Sequence, residues 1–333
     1  MAGMQFKNKV LVLSLVAGAL AVAYALGLVF SPTNVQKRRS EVPLLAAFKP
    51  DSVKKIEVSG AQGSPVQLVR GEKGWSVLLG GSPFPASAER VTSFFDSLTG
   101  LRRNRLVSAN PDSWKSFDVG AEARTRIQLF DAADKPLVNL IVGRSEEAER
   151  GSYLRLEGTN QVLLANKSLN FYLEAQPSFW SHLRFFTDEL SADKVMRISV
   201  RADLAFPDGT SRRLAYTLIQ KEEAGRKWQV VEPAAERSMP LDNKQVDRVA
   251  TTLSGFEGTE FVPGPADSGL TAPSAEILFS TVDNKDYRIL IGKRSGEDQY
   301  YAKVDGGSYV YLAPEWRVKM ATQPLEDLRE KTK

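Results

Sequence analysis

The chain has 333 residues, 42% of them hydrophobic, which is enough to supply cores for two ordinary domains. It holds no cysteine and one histidine, His182, which excludes disulfides, thiol nucleophiles and metal sites built on several His or Cys ligands. The net charge of +4 sits at the start: the first 40 residues carry five bases and no acid, leaving 39 bases against 40 acids, so the body offers no general attraction to nucleic-acid phosphate.

Residues 1–9 read as a short cytoplasmic tail. Val10–Phe30 follows, 21 residues without a charge, long enough as a helix to cross about 30 Å of hydrocarbon. Lys7 and Lys9 precede it and Ser31-Pro32 ends it. The leading reading is an uncleaved transmembrane anchor. A cleavable signal peptide competes, with Ala23-Tyr24-Ala25 as its cleavage site, and a buried helix of a soluble protein comes third. Lys37, Arg38 and Arg39 follow the span, so the positive-inside count is split. Export of the body is still favoured, which predicts a single-pass inner-membrane protein with most of its chain on the periplasmic side. Residues 31–49 read as a linker.

Beyond the linker the sequence writes one pattern twice. "PASAERVTSFFDSLTGLRRNRLV" (85–107) and "PLDNKQVDRVATTLSGFEGTEFV" (240–262) align without a gap. Val91, Phe94, Phe95, Leu98 and Leu101 form one helical face, and Val246, Val249, Ala250, Leu253 and Phe256 repeat it at a constant offset of 155. Ser87 and Asp242 are N-cap candidates, Asp242 with Gln245 has capping-box spacing, and Gly100 and Gly255 stand where a helix ends in a left-handed residue. Upstream, "GWSVLL" (74–79) matches "KWQVVE" (227–232), aligning Trp75 with Trp228, each preceded by two alternating strands. Downstream, "TRIQLFDAADKPLVNLIVGRS" matches "AEILFSTVDNKDYRILIGKRS", aligning Gly143 with Gly292, and a further hairpin and short helix close each copy. The predicted fold class is α+β: an N-terminal transmembrane helix, then two tandem duplicated α+β domains, 50–185 and 186–333, with mostly antiparallel sheets. Each copy is expected to hold three strands, a helix and four more strands.

Few residues point to chemistry. "VGRSEEAERG" (142–151) and "IGKRSG" (291–296) join Gly, a base and Ser, but lack the spacing and following helix of a phosphate loop. Glu146, Glu147 and Glu149, with Glu297 and Asp298 at the corresponding place, are candidates for acid–base or calcium chemistry, and they read as solvated hairpin charges. His182 lies beside Trp180, Phe185 and Phe186 and reads as packing, with no recognisable Ser–His–Asp spacing. Trp75 and Trp228 are expected in cores, whereas Trp114, Trp180 and Trp316 are freer. The sharpest basic cluster is "LRRNRL" (101–106): Arg102, Arg103 and Arg105 are candidates for partner binding, and the equivalent "FEGTEF" is acidic. No catalytic, cofactor or metal residue is assigned.

The chain resembles the bacterial domain-of-unknown-function family 4340. The resemblance is carried by the anchor, "DSVKKIEVSG", "GEKGWSVLL", "AERVTSFFDSLTGLRRNRLV", "FDVGAEARTRIQLFD", the "IVGRS … GSYLRLEGTNQVLLA" close and the "FWSHLRFFTDELSADKVMRISV" restart. One departure is Phe117-Asp118-Val119, where the usual turn is closer to Tyr-Gly-Leu; Ser268-Gly269-Leu270 keeps the glycine. The resemblance implies an anchored envelope protein without assigned chemistry, encoded near ABC-type permeases and auxiliary subunits. The expected function is therefore a non-enzymatic adaptor of an ABC-type transport complex, with no cofactor and no nucleic-acid partner. A periplasmic or cell-wall glycan-binding module is the alternative, and a hydrolase built on carboxylates alone is the third.

Overall fold

The computed structural model describes residues 2–29, 43–45, 48–61, 64–123, 125–146, 150–187, 189–221, 227–264 and 267–331. They divide into two compact units, Met1–Lys73 with Glu89–Ala175, and Gly74–Ala88 with Gln176–Lys333. Helix α1 (Ala2–Val29) is one uninterrupted helix on which Leu11, Leu15, Leu20 and Leu26 are exposed. Among the described residues no helix is long and apolar enough to cross a membrane. The side chains of Val10, Val12, Leu13, Leu28 and Val29, which belong to the apolar run, lie outside those described.

In chain order the elements that follow are β1 (Lys55–Ser59), β2 (Val66–Gly71), β3 (Gly74–Leu79), β4 (Ser82–Pro85), α2 (Ala88–Thr99), β5 (Arg103–Ser108), β6 (Arg126–Phe130), β7 (Pro136–Glu146), β8 (Gly151–Leu156), β9 (Val162–Ala165), α3 (Asn170–Glu174) and α4 (Pro177–Trp180). Then come β10 (Val195–Ala205), β11 (Ser211–Lys221), β12 (Lys227–Glu232), α5 (Asn243–Ser254), β13 (Glu260–Phe261), β14 (Ala275–Thr281), β15 (Asp286–Ser295), β16 (Gln299–Val304), β17 (Tyr311–Pro314) and α6 (Glu315–Ala321).

In the first unit the strand order is β2-β1-β6-β7-β8-β9-β5, and in the second β12-β11-β10-β14-β15-β16-β17-β13. Apart from β12 these are one order written twice, and every neighbouring pair is antiparallel. The α+β class with antiparallel sheets is thus present in both units. Five strands, not four, follow each helix, because the segments after Gly100 and Gly255 pair with β9 and β17.

The helical faces lie where the periodicity puts them. Val91, Phe94, Leu98 and Leu101 are at most 2% exposed, as are Val246, Val249, Ala250, Leu253 and Phe256. Burying each large side chain is worth about 1.5–3 kcal/mol, which fixes both helices against their sheets. Asp242 caps α5 by accepting from Lys244 N at 3.0 Å. The capping box does not close, because the Asp242 N–H donates to Leu328 O at 2.8 Å instead of waiting for Gln245. Gly255 has φ −97°, so the helix stop is not left-handed. The glycines there serve close approach: a Cβ at Gly100 would lie 2.8 Å from Asp96 O, and one at Gly255 3.2 Å from Thr251 O.

Contacts are described near two of the sequence boundaries. Leu44 is 4% exposed and its N–H donates to Leu101 O at 3.0 Å, while Pro43 bridges Arg102. Residues 176–185 fall in the second unit. Phe185 N donates to Phe256 O, Gly258 N to Leu183 O, and His182 N to Pro85 O, all within 2.9 Å.

Candidate functional site

The first unit carries an open cleft of 650 Å³ beside the centre of its sheet, with Lys115, Asp118, Glu122, Thr125, Arg144 and Asn170 among its polar lining. Its floor is a β-bulge. The β7–β8 register shifts between Val142 and Ser145, and the β15–β16 register shifts between Ile291 and Arg294, the same place in the second copy. Gly143 and Gly292 sit in these bulges because a turn presses on them. A Cβ at Gly143 would stand 1.9 Å from Phe117 O, and one at Gly292 2.1 Å from Ser268 O. No other residue fits there.

The pressing turn answers the departure noted in the first copy. Asp118 takes φ 57°, the left-handed conformation that Gly269 takes at φ +69°. Aspartate is among the few side chains that adopt this region readily, so the turn survives the loss of glycine. Beside it the two copies part. Lys293 is held by Asp267 at 2.6 Å. Ser116 stands where Asp267 does, and Arg144, the counterpart of Lys293, donates through Nε to Ser116 O at 3.1 Å.

Behind the cleft the hydroxyls are already engaged. Ser152, fully buried, donates to Asn170 Oδ1 at 2.8 Å, accepts from Leu169 N at 3.2 Å and lies 3.1 Å from Ser168 Oγ. Ser145 Oγ lies 3.1 Å from Ser168 Oγ. Glu146 accepts a short hydrogen bond from the Tyr153 hydroxyl, which raises that phenol above its ordinary pKa. These serines bond to an amide, a backbone N–H and each other. The arrangement can hold a polar ligand, but it presents no serine backed by a base. Among the described residues no group of three or more His, Asp or Glu side chains is placed to hold a metal ion.

The remaining sequence candidates fall as follows. The Gly–base–Ser runs lie within β7 and β15, and Arg294 closes the next turn by donating to Glu297 O at 2.6 Å. Glu147 and Glu149 lie outside the described residues. His182 is exposed rather than packed; Trp180 and Phe186 do the packing beside it. Trp228 is in the core with its Nε1 on Asp247 at 2.8 Å, while Trp75 is half-buried. Trp316 is 59% exposed, with the Arg317 guanidinium 4.8 Å from its ring centroid.

Arg102 caps its own helix, donating to Thr99 O at 2.8 Å and Leu101 O at 3.1 Å. Arg105 and its neighbour Leu106 are exposed on edge strand β5, and the side chain of Arg103 lies outside the described residues. Arg102 completes a helix end, and Arg105 is exposed on the sheet edge within electrostatic reach of Tyr153.

Sequence reasoning missed Arg155. It is 2% exposed, donates through Nε to Val119 O at 2.8 Å, and lies with its guanidinium 3.9 Å from the Trp114 ring centroid. Burial lowers its pKa. The available signal was its place in a hairpin strand flanked by Leu154 and Leu156, opposite a tryptophan with no counterpart in the second copy.

No curated protein matches the chain. The family described as "Domain of unknown function (DUF4340)" matches residues 77–273 and again 228–332. The first match opens in β3 and the second in β12. Together they cover most of the sequence, and the chain belongs to the DUF4340 family.

Proposed function

We propose that the chain is a non-enzymatic, single-span membrane protein of the cell envelope, with α1 as its anchor and the duplicated halves 50–185 and 186–333 on the periplasmic side of the inner membrane. In this reading it is an accessory component of an ABC-type transport complex. The observation that carries the anchored-adaptor reading is the short connection. Thirteen residues, 30–42, separate the end of the apolar helix from Pro43–Leu44, where the chain is already fixed in the first unit. At most about 3.6 Å per residue, that keeps the point of attachment within about 50 Å of the helix end. The transporter link rests on the family resemblance alone. The non-enzymatic reading rests on the engaged hydroxyls and carboxylate behind the cleft, and Arg102, Arg103 and Arg105 are proposed as the partner-binding segment.

The test is crosslinking of the full-length protein in its native membrane, capture in mild detergent and identification of what accompanies it by mass spectrometry. Recovery of a permease and its auxiliary subunits is expected. Recovery of the protein alone at good yield would remove the transporter link. The glycan-binding alternative is favoured by one observation, the exposed Trp316, since Trp114 is already covered by Arg155. A thermal-shift screen against envelope glycans separates the two readings, and a flat screen counts against the alternative.

A further inference from the structure

We propose that the exposed part of β5, Arg105 with Leu106, is a lipid-headgroup contact that seats the first unit on an anionic bilayer surface. This rests on the reading of α1 as a membrane anchor, and it names lipid as the partner of the basic segment.

Four observations carry it. The chain arriving from α1 is fixed at this place: Pro43 bridges Arg102, and Leu44 N donates to Leu101 O at 3.0 Å, immediately before β5 begins. The short connection limits how far this end of the unit can stand from the bilayer. The charge is of the right sign at the right copy. The segment 101–106 holds three arginines and no acid, whereas its counterpart 256–261, in the copy farther along the chain from the anchor, holds Glu257 and Glu260 and no base. A fold written twice thus supplies its own control, and only the copy nearer α1 along the chain is basic here. The connecting sequence before Pro43 also carries Lys37, Arg38 and Arg39.

The fourth observation is Leu106. It is 54% exposed beside exposed Arg105 on an edge strand, although its partner Leu163 on β9 is 6% exposed. Between two register shifts the pairs Arg105–Leu164 and Leu106–Leu163 run one to one, so the two exposed side chains leave this edge strand on opposite faces. A strand laid edge-on to the bilayer presents both, a cation to the headgroups and an apolar group to the acyl boundary. Each basic side chain held near an anionic surface is worth about fivefold in binding, and the effect fades within about 8 Å at physiological salt. A tether that keeps the segment near the bilayer makes contributions of this size sufficient.

The chain has no cysteine, so Leu106→Cys gives one labelling site in the full-length protein. We would reconstitute it, labelled with a polarity-sensitive dye, into vesicles of phosphatidylcholine alone or with phosphatidylglycerol added, and follow dye emission and quenching by bilayer-borne quenchers. Glu260→Cys on β13 serves as the control. Expected is severalfold quenching of the Leu106 probe only in anionic vesicles, lost in about 0.5 M salt and lost in Arg103→Glu/Arg105→Glu, with the Glu260 probe silent throughout. Arg102 is left intact because it caps α2, and circular dichroism confirms the folding of each variant. Equal response in both lipids, or silence in both while the chain floats with the vesicles, overturns the inference and leaves the anchor standing. A chain that does not float with vesicles overturns the anchor reading and the inference with it.

Discussion

The same face of the same sheet is closed in one unit and open in the other. In the first unit β8 is buried on both sides, residue after residue, because a 3-10 helix at Pro111–Phe117 brings Trp114 and Phe117 over it. Val119, Ile141, Tyr153, Val162 and Leu164 form a second small core there, and Arg155 lies inside it. In the second unit the equivalent strand β16 alternates, and Lys303, at the Arg155 position, is half-buried. Toward β10 and β11 that face is a polar groove of 220 Å³ with Ser199, Arg201, Thr217, Glu232, Glu276 and Arg288. Strand order therefore does not decide which side of a sheet stays wet. In the first unit the 3-10 helix and one buried arginine do.

The most severe way to test that comparison acts on what the units share. Gly143→Ala and Gly292→Ala should each destabilise by about 3 kcal/mol or more, since the new methyl must displace a carbonyl oxygen. Chemical denaturation of each variant measures this; a tolerated Gly143→Ala would mean that the turn over the first bulge is not held in place.

Next comes the closed face itself. Arg155→Ala leaves Val119 O without its buried donor and Trp114 without its cover, which should cost about 3–4 kcal/mol. Lys303→Ala should stay within about 0.5 kcal/mol. Equal losses at the two positions would erase the distinction between the faces. Arg155→Met, which keeps volume without charge, should recover part of the loss in the same denaturation series.

The turn offers a smaller effect. Asp118→Gly converts the first copy to the sequence of the second and should stabilise by up to about 1 kcal/mol, because a left-handed aspartate is relieved. Gly269→Ala should act in the opposite sense, with a φ of +69° and a Cβ 2.6 Å from Lys293 Cγ. Thermal unfolding of the pair reads both.

The smallest effect is electrostatic and belongs to the second unit. Lys319 bridges Asp208 at 2.6 Å and Glu315 at 2.8 Å, tying α6 to the β10–β11 hairpin. The hydrogen bond from Lys319, then those from Thr210, hold the Asp208 carboxyl well below the usual carboxylate range. A depressed folded-state pKa contributes stability above the unfolded value of about 3.9 that is lost as pH falls toward the folded value. Unfolding followed through the acid range should show this slope in the native protein and a shallower one in Asp208→Asn; identical slopes would show that the exposed pair adds nothing measurable.

What the sequence made legible was whatever repeats with a period. The two buried helical faces, the hairpins and the duplication all follow from spacing, because burial of one face imposes that spacing on the residues. The candidate sites were harder, since they depend on contacts without a period. Gly143 and Gly292 align in sequence, but the carbonyls that make them necessary, those of Phe117 and Ser268, belong to a turn well upstream in the chain. Arg155 looks like any charged strand residue until Trp114 is laid over it. Gln245 has the spacing of a capping partner, and only the C-terminal Leu328, arriving from across the fold, explains why that spacing goes unused. Arg102 reads as part of a charge cluster and turns out to finish a helix.

The attachment at Leu44 also has a mechanical reading. The chain that comes from α1 is fastened at the C-terminal end of α2, through one backbone hydrogen bond to Leu101 and one buried leucine. A pull on the chain at Pro43–Leu44 acts on the last turn of a helix whose inner face is part of the core. The first unit has a defined load point there.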